Sequence, residues 1–322
     1  MNPAFSVVFL TTLSGAAQGL LIALVGVECA ARLGIVTALA TGAAPQPMFY
    51  VAGAALVVVL GALGLLASFF HLGHPERAWR AIAMWRTSWL SRECLCLPAF
   101  LACAFFYGVA HEFGSPWSMA IGLLGVLASV ALFVCTAMIY ACLRFLQEWA
   151  TPLTLANFVL LGCASGFTLA TACAAWLAPG WMGPLATCAC LLTVAGCVSR
   201  SASLVRNARL RPKSTVQSAT GIKGVKVVQT SRGFTAGAFN LREFFHGKSK
   251  GTLRQVKWAF LTGAFALPFV LTALGANVRP FGLSMVLLCA ACAIQYAGLL
   301  AERWFFFAEA RHPQNLYYAQ VS

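Results

Sequence analysis

The sequence has very little charge. Only 9% of its 322 residues are Asp, Glu, Lys or Arg, whereas a soluble domain usually carries about 25%. Hydrophobic residues make up 60% of the chain, and its mean hydropathy is +0.81. Because so few polar side chains are available to cover a soluble surface, we predict a polytopic integral membrane protein.

The start of the chain lacks the basic residues of a secretory signal. Residues 1–5 contain no Lys or Arg, and the apolar run that follows continues to about residue 27. We therefore expect this run to be retained as the first membrane span.

Histidine is scarce and badly placed for haem binding. A bis-histidine haem inside a bundle needs two His side chains on facing helices at matched depth. We therefore expect no haem in this chain. The five histidines all lie at the ends of apolar runs or between them: His71, His74, His111, His246 and His312.

Thirteen cysteines are present, but none of them forms a metal-binding group. Cys289 and Cys292 make a lone CxxC inside an apolar stretch, whereas an iron–sulfur cluster needs four ligands, usually in grouped spacing. No grouping of zinc ligands occurs either. The sequence predicts no metal site, and we expect the cysteines to be small packing residues between helices.

Eight apolar runs are long enough to cross the hydrocarbon core, which takes about 20 helical residues. They are far too long for barrel strands. We predict an all-α bundle of eight transmembrane helices that forms one domain over residues 1–322. The runs cover about 5–31, 48–71, 93–111, 117–143, 153–177, 181–200, 256–277 and 280–305.

Basic residues are concentrated in the even-numbered connections between these runs. Residues 200–257 alone hold 13 of the 22 Lys and Arg residues, opposed there only by Glu243. By the positive-inside rule, both termini and the even connections face the cytoplasm. The long connection over 200–256 is either a solvated loop or a docking surface for a peripheral partner or anionic lipids. It shows no nucleic-acid recognition motif.

Ionisable residues cluster in the second connection, where a membrane protein rarely keeps them without a functional reason. The segment includes His71, Arg77, Arg92 and Glu93. Histidine titrates near neutral pH, and a nearby glutamate can pass protons to water, which suits the oxidation or reduction of a quinone at the membrane boundary. The alternative is structural: a histidine that caps a helix end, and Glu93 paired with Arg92.

A short amphipathic helix is expected between the second and third runs. Pro75 suits the first helical position, and Trp79, Ile82 and Trp85 recur every three residues. These residues predict a helix that lies in the interface, with its indoles at the level of the lipid head groups.

A few polar residues lie inside the apolar runs. Gln18 is surrounded by small residues; it either donates a hydrogen bond to a quinone carbonyl or joins neighbouring helices. Glu28, Asn157 and Gln295 either form a proton path or make structural pairs, and we expect structural pairs.

Several of these segments together resemble the DmsC family, the membrane anchor subunits of dimethyl sulfoxide reductase-type molybdoenzymes. The resemblance covers nearly the whole chain, including the eight-span layout. It rests on 67–73 (Ala-Ser-Phe-Phe-His-Leu-Gly), 88–93 (Ser-Trp-Leu-Ser-Arg-Glu), 138–141 (Met-Ile-Tyr-Ala), 239–247 (Phe-Asn-Leu-Arg-Glu-Phe-Phe-His-Gly) and 301–310 (Ala-Glu-Arg-Trp-Phe-Phe-Phe-Ala-Glu-Ala).

The resemblance implies a multi-pass protein of the bacterial inner membrane that binds a quinone, either ubiquinone or menaquinone. It implies two partners: a four-cluster iron–sulfur subunit of the 4Fe–4S type and a catalytic subunit with a molybdenum bis-pterin cofactor. The quinone-site histidine of the family corresponds to His71, and its nearby glutamate to Glu93. Arg77 and Gln18 are further candidates for orienting the quinone head group.

The direction of electron flow depends on the branch of the family. Charge places His71 on the cytoplasmic side, which favours the quinone-reducing sulfite dehydrogenases (SoeABC type). The alternative is a quinol-oxidising anchor of a dimethyl sulfoxide or other S- or N-oxide reductase. In both cases the chain performs no oxo transfer itself. A secondary transporter and a scaffold without quinone are the remaining hypotheses.

Overall fold

The computed structural model describes residues 1–35, 45–70, 72–211, 215–222, 224, 243–313 and 315. These ranges consist mostly of helices joined by turns and irregular connections and contain no strand, which confirms the predicted all-α class. Eight of the helices in these described ranges are long and apolar enough to cross a membrane. They are α1 Phe5–Arg32, α2 Pro47–Phe69, α3 Trp89–Glu112, α4 Ser118–Ala141, α5 Pro152–Leu177, α6 Pro179–Ala208, α7 Lys250–Asn277 and α8 Phe281–Glu309.

Local sequence explains where several helices begin. The side chains of Ser88, Thr151 and Ser249 accept hydrogen bonds from backbone N–H groups in the first turns of α3, α5 and α7. Proline at the start of α5 and α6 suits positions whose N–H would have no helical partner. Only Ala178 separates α5 from α6, so the predicted tight turn and antiparallel hairpin are confirmed.

Helix α1 forms the centre of the bundle and packs against α2, α4, α5 and α8. It crosses α5 where two pairs of glycines, each spaced by four residues, face each other: Gly15 and Gly19 in α1, Gly162 and Gly166 in α5. A Cβ atom on Gly19 would overlap the carbonyl oxygen of Gly162, and one on Gly166 would overlap the backbone of Gly19 and Leu20. Small residues therefore permit the close backbone approach that holds membrane helices together.

The two ends of the bundle carry different amounts of positive charge. The end formed by the second, fourth and sixth connections includes Arg77, Arg80, Arg86, Arg144, Arg209, Arg211 and Lys248, whereas the opposite end includes Arg32 and Arg279 among the described residues. With eight spans, the first residues of α1 and the last of α8 lie at the basic end. We call this the basic end below.

Four predicted span boundaries differ from the structure by four residues or more, including the end of α8, which lies at Glu309 rather than near residue 305. Helix α3 begins at Trp89 rather than near residue 93, so Glu93 lies one turn inside the span. Helix α6 continues to Ala208 and α7 begins at Lys250, so the basic connection runs over 209–249 rather than 200–256. Because the sixth span was predicted to end near residue 200, Arg200 was assigned to a solvated loop. In the structure its side chain lies inside α6 and is only 1% exposed. The helix continues because a buried carboxylate compensates the charge.

Candidate functional site

The predicted site lies at the basic end of α2 and α3. Helix α2 ends at Phe69, and a 3₁₀ helix over Pro75–Ile82 packs against α3, which begins at Trp89. His71, the proposed proton-transfer residue, lies outside the described residues. The described residues on both sides of it, Phe70 and Leu72, are exposed. The site is therefore built from the turn after α2, the 3₁₀ helix and the first turns of α3.

The 3₁₀ helix leaves its apolar residues exposed, as a helix in the interface would. Trp79, Ile82 and the following Trp85 are all exposed, and their spacing of three residues matches the 3.0 residues per turn of a 3₁₀ helix. The Arg80 guanidinium lies 5.5 Å from the centroid of the Trp79 ring, and that of Arg86 lies 5.4 Å from the Trp85 ring. Such pairs of arginine and indole suit the head-group level of a bilayer.

Arg92 fixes the connection to the start of α3. Its Nε donates to the carbonyl oxygen of Trp85 at 2.9 Å, and its Nη2 donates to that of Arg86 at 2.7 Å. Its guanidinium also stacks over the Trp89 ring at 4.3 Å. Arg92 therefore does not form the ion pair with Glu93 that a purely structural interpretation of the sequence required.

Glu93 is buried in the bundle without a basic partner among the described residues. Its side chain points toward α4, where the hydroxyl of Thr136 donates to Oε1 at 2.5 Å. Only 8% of the residue is exposed. An ionised carboxylate in such a place is costly unless a cation or further hydrogen-bond donors compensate its charge. Such a group suits proton exchange with a neighbouring molecule.

Arg77 lies on the exposed surface of the 3₁₀ helix. Its Nε is 3.7 Å from the Glu76 carboxylate, which also contacts the ring of His74 at 3.0 Å. Arg77 pairs with this local carboxylate and not with Glu93. Arg77 could therefore contact only a ligand that lies at the membrane surface.

Gln18 lines a small, partly enclosed cavity between α1, α4, α5 and α8. The cavity has a volume of about 10 Å³, and Thr136 and Arg303 also line it. That volume holds about one water molecule and no quinone ring. Thr136 thus links Gln18 to Glu93, because its hydroxyl bonds Glu93 while its side chain borders the cavity.

A buried charge network on α6 and α8 escaped the sequence analysis. Arg200 Nε lies 2.6 Å from Glu302 Oε1, and its Nη2 lies 3.6 Å from Glu309 Oε2. Arg303 Nη1 lies 3.7 Å from the other oxygen of Glu302. Arg303 was assigned to the C-terminal tail, but it is buried in α8 with its guanidinium 3.7 Å from the Phe158 ring centroid.

One sequence signal pointed to this network. Glu302 and Arg303 are followed by Trp304 and three phenylalanines, and aromatic residues next to charged ones indicate burial rather than a solvated tail.

The remaining polar residues inside the spans make structural pairs, as expected. At the end opposite the basic one, the Glu28 carboxylate contacts Arg32 at 2.7 Å, the ring of His111 at 3.1 Å and the hydroxyl of Ser118 at 2.8 Å. Asn157 donates to Ser203 at 2.8 Å, and Gln295 donates to Thr193 at 3.4 Å. They lie in separate places and form no continuous path among the described residues.

All thirteen cysteines are free. Those of α3 and α4 meet at the helix contact, where Cys96 Sγ lies 3.9 Å from Cys135 Sγ. Within the described part of the chain, no three His, Cys, Asp or Glu side chains come together as metal ligands would.

Comparison with known proteins agrees with this architecture. The family model described as "DMSO reductase anchor subunit (DmsC)" matches residues 1–297. The chain is also 50% identical to a sulfite dehydrogenase subunit of Allochromatium vinosum, over 100% of both chains. The family match covers the eight helices up to the middle of α8 and includes Gln18, Arg77 and Glu93. The chain therefore belongs to the DmsC family of membrane anchor subunits.

Proposed function

We propose that this chain is the quinone-binding anchor of a sulfite dehydrogenase-type molybdoenzyme. In this role it passes two electrons between an iron–sulfur subunit and the quinone pool, while a molybdenum bis-pterin subunit performs the oxo transfer. The burial of Glu93 at the basic end, without a basic partner among the described residues and bonded only to Thr136, is the observation that supports a proton-coupled site most strongly.

The quinone would lie between the end of α2, the 3₁₀ helix and the start of α3. Reduction of a quinone by two electrons takes up two protons, so the site needs proton donors at the ring. His71 would hold one quinone carbonyl and deliver a proton, and Glu93 would be the second proton group. The exposed indoles of Trp79 and Trp85 support an entrance at head-group level, where a quinone would enter from the lipid.

Arg77 has a smaller role in this proposal. Because its guanidinium lies at the surface beside Glu76, it would attract and orient the polar head group on entry and would not contact the reduced ring. Substitution of Arg77 should then raise the KM for quinone more than it lowers kcat.

The proposed direction of electron flow is toward quinone. Support comes from the 50% identity to a sulfite dehydrogenase subunit over the whole chain, and from the basic end, which the positive-inside rule assigns to the cytoplasm. The family model takes its description from the DMSO reductase anchor, so quinol oxidation by an S-oxide reductase is the competing function. The purified complex should reduce a ubiquinone analogue with sulfite; quinol-driven S-oxide reduction without sulfite activity would establish the competitor.

The site is tested by His71→Ala in the complete complex, with His74→Ala as the matched control. His74 lies three residues away, and its exposed side chain bonds Glu76. We expect His71→Ala to lower quinone-coupled turnover by roughly a hundredfold or more, as loss of a general acid does. The iron–sulfur subunit should still co-purify, and His74→Ala should retain turnover within about twofold. Normal turnover in His71→Ala would refute the assignment.

A further inference from the structure

We propose that the cavity beside Gln18 is a binding site for a single water molecule that exchanges protons with Glu93 through Thr136. The role of this water in proton transfer rests on the proposed function, whereas its position rests only on the side chains around the cavity. Three side chains from three different helices, Gln18 of α1, Thr136 of α4 and Arg303 of α8, border a space of about 10 Å³. A space of that size holds about one water molecule.

The polar atoms around the cavity match the hydrogen bonds of one water molecule. Gln18 Oε1 is a buried acceptor, and Arg303 Nη1 is a buried donor; neither has a hydrogen-bond partner among the described residues. Thr136 donates its hydroxyl hydrogen to Glu93, so its oxygen still accepts. A water molecule would donate to Gln18 Oε1 and Thr136 Oγ1 and accept from Arg303 Nη1. Three bonds are the usual number for a buried water.

This arrangement gives Glu93 a proton relay. When the Glu93 carboxyl group gives its proton to the quinone, the Thr136 hydroxyl gives its hydrogen to the carboxylate and takes one from the water. The Arg303 guanidinium stabilises the hydroxide that remains. One proton from solvent then restores the water, so the relay moves one proton for each cycle and leaves every side chain unchanged.

The charge network provides a polar route from this water to solvent. Arg303 contacts Glu302, Glu302 contacts Arg200, and Arg200 contacts Glu309. The side chain of Glu309 is 18% exposed at the basic end of α8. The two arginines keep their protons and Glu302 stays ionised between them, so the network is a fixed polar lining along which solvent protons approach the cavity.

An apolar block closes the other direction. Between Gln18 and the Glu28–His111 pair, α1 buries Leu20, Leu21 and Leu24 completely. Protons that reach Glu93 through the cavity therefore come from the basic end and not from the opposite side of the membrane. The relay also gives Gln18 a role through water rather than through direct contact with the quinone.

The water itself is tested by cryo-electron microscopy of the assembled complex at a resolution that shows waters. We expect one water density within hydrogen-bond distance of Gln18 Oε1, Thr136 Oγ1 and Arg303 Nη1, and its loss in Gln18→Leu. A cavity without this density in the wild-type complex would overturn the inference, whatever the complex does with quinone. Absence of all quinone-coupled turnover alongside a clear density would instead overturn the proposed function.

The relay is tested by steady-state kinetics with Gln18→Leu and the matched control Gln295→Leu. Gln295 is an equally buried glutamine of α8 that does not line the cavity. We expect Gln18→Leu to lower kcat on the order of tenfold, less than the hundredfold typical of a lost acid–base group, with an increased solvent deuterium isotope effect and an unchanged KM for quinone. Gln295→Leu should change none of these.

Two outcomes would overturn the relay. One is an unchanged kcat in Gln18→Leu, and the other is a raised KM with an unchanged kcat, which would mean that Gln18 contacts the quinone directly. Thr136→Val and Thr136→Ser form a second pair, because they differ from Thr by little volume and only Ser keeps the hydroxyl. Valine should reproduce the loss of kcat, and serine should restore most of it.

Discussion

Two buried carboxyl groups near the basic end, those of Glu93 and Glu302, have different partners for their charge. Glu93 has one hydroxyl partner, from Thr136, and no cation among the described residues, whereas Glu302 lies between Arg200 and Arg303. A buried carboxyl group without a cation is costly to ionise and therefore readily takes back a proton, while a carboxylate between two guanidiniums is held ionised. The first environment suits proton transfer, and the second suits a fixed scaffold.

Breaking the buried ion pair should destabilise the protein strongly. Arg200→Met leaves the Glu302 carboxylate without its 2.6 Å partner, and we expect a loss of about 3–5 kcal/mol in the free energy of unfolding. Arg254→Met, on the exposed face of α7, is the control and should cost less than about 0.5 kcal/mol. Unfolding in mixed detergent micelles measures both.

A further variant separates the ion pair from simple packing. The double variant Arg200→Met with Glu302→Gln removes both charges and should recover part of that loss. A double variant less stable than the single one would contradict this account of the network.

The sequence marked Glu93 as a candidate site residue but gave no indication of its hydrogen-bond partner Thr136. The glutamate stands out because an ionisable residue beside an apolar run is rare, whereas Thr136 is an ordinary residue 43 positions away. The ion pair between Arg200 and Glu302 joins two helices that are distant in sequence. No local sequence pattern predicts such a pair. The sequence placed both arginines at span ends because a single charge without a visible partner usually marks the boundary of a span.

At the scale of elements, glycine spacing decides how close the helices come. Gly19→Ala places a Cβ atom against the carbonyl oxygen of Gly162, so α1 and α5 must move apart. We expect a loss of about 1–3 kcal/mol in unfolding free energy. Gly26→Ala is the matched control in the same helix, because its Cβ would meet nothing within 4 Å. If both variants unfold alike, close packing at the crossing is not what stabilises the bundle.

The segment before α7 should become less stable in acid. Burial, and then the nearby positive charges of the N-terminus and Lys248, lower the pKa of His246 below its usual 6.5. The ring is thus neutral when folded and takes up a proton on unfolding, so stability is full above about pH 6.5 and falls as the pH decreases below it. Proteolysis of the 243–249 segment should therefore accelerate below about pH 6.5.

His312 complicates this test, because burial lowers its pKa in the same direction. His246→Gln should reduce the acid sensitivity, and the double variant with His312→Gln should remove it. If the double variant is as sensitive to acid as the unsubstituted protein, protonation of these two rings is not the cause of the sensitivity.

The sequence predicted the positions of the helices better than the contacts between their side chains. Hydropathy located all eight spans within a few residues at most boundaries, because a run of about 20 apolar residues has few alternatives to a membrane helix. The larger errors occurred where charged residues stand inside a helix, at Arg200 in α6 and at the starts of α3 and α7, since hydropathy does not distinguish a charged residue inside a helix from one in a solvated loop. The short helix predicted between the second and third spans is present as the 3₁₀ helix Pro75–Ile82, whose three residues per turn fit the spacing of Trp79 and Ile82.

For the whole molecule, the unequal charge of its two ends predicts an orientation. Alkaline phosphatase, which is active only outside the cytoplasm, can be fused after Thr215 in the sixth connection or after Gly114 in the third. We expect activity at Gly114 and none at Thr215, because the basic end should face the cytoplasm. The reverse pattern would contradict the cytoplasmic placement of the site and the sulfite dehydrogenase assignment that depends on it.

Photo-crosslinking tests whether the quinone binds beside His71 and Glu93. The chain offers a competing location, an apolar groove lined by Cys103, Phe106 and Leu124 near the opposite end of α3 and α4. An azido-quinone analogue, cross-linked in the assembled complex and mapped by mass spectrometry, should label peptides within residues 70–93. Labelling confined to the 102–124 groove would contradict a quinone site beside His71 and Glu93.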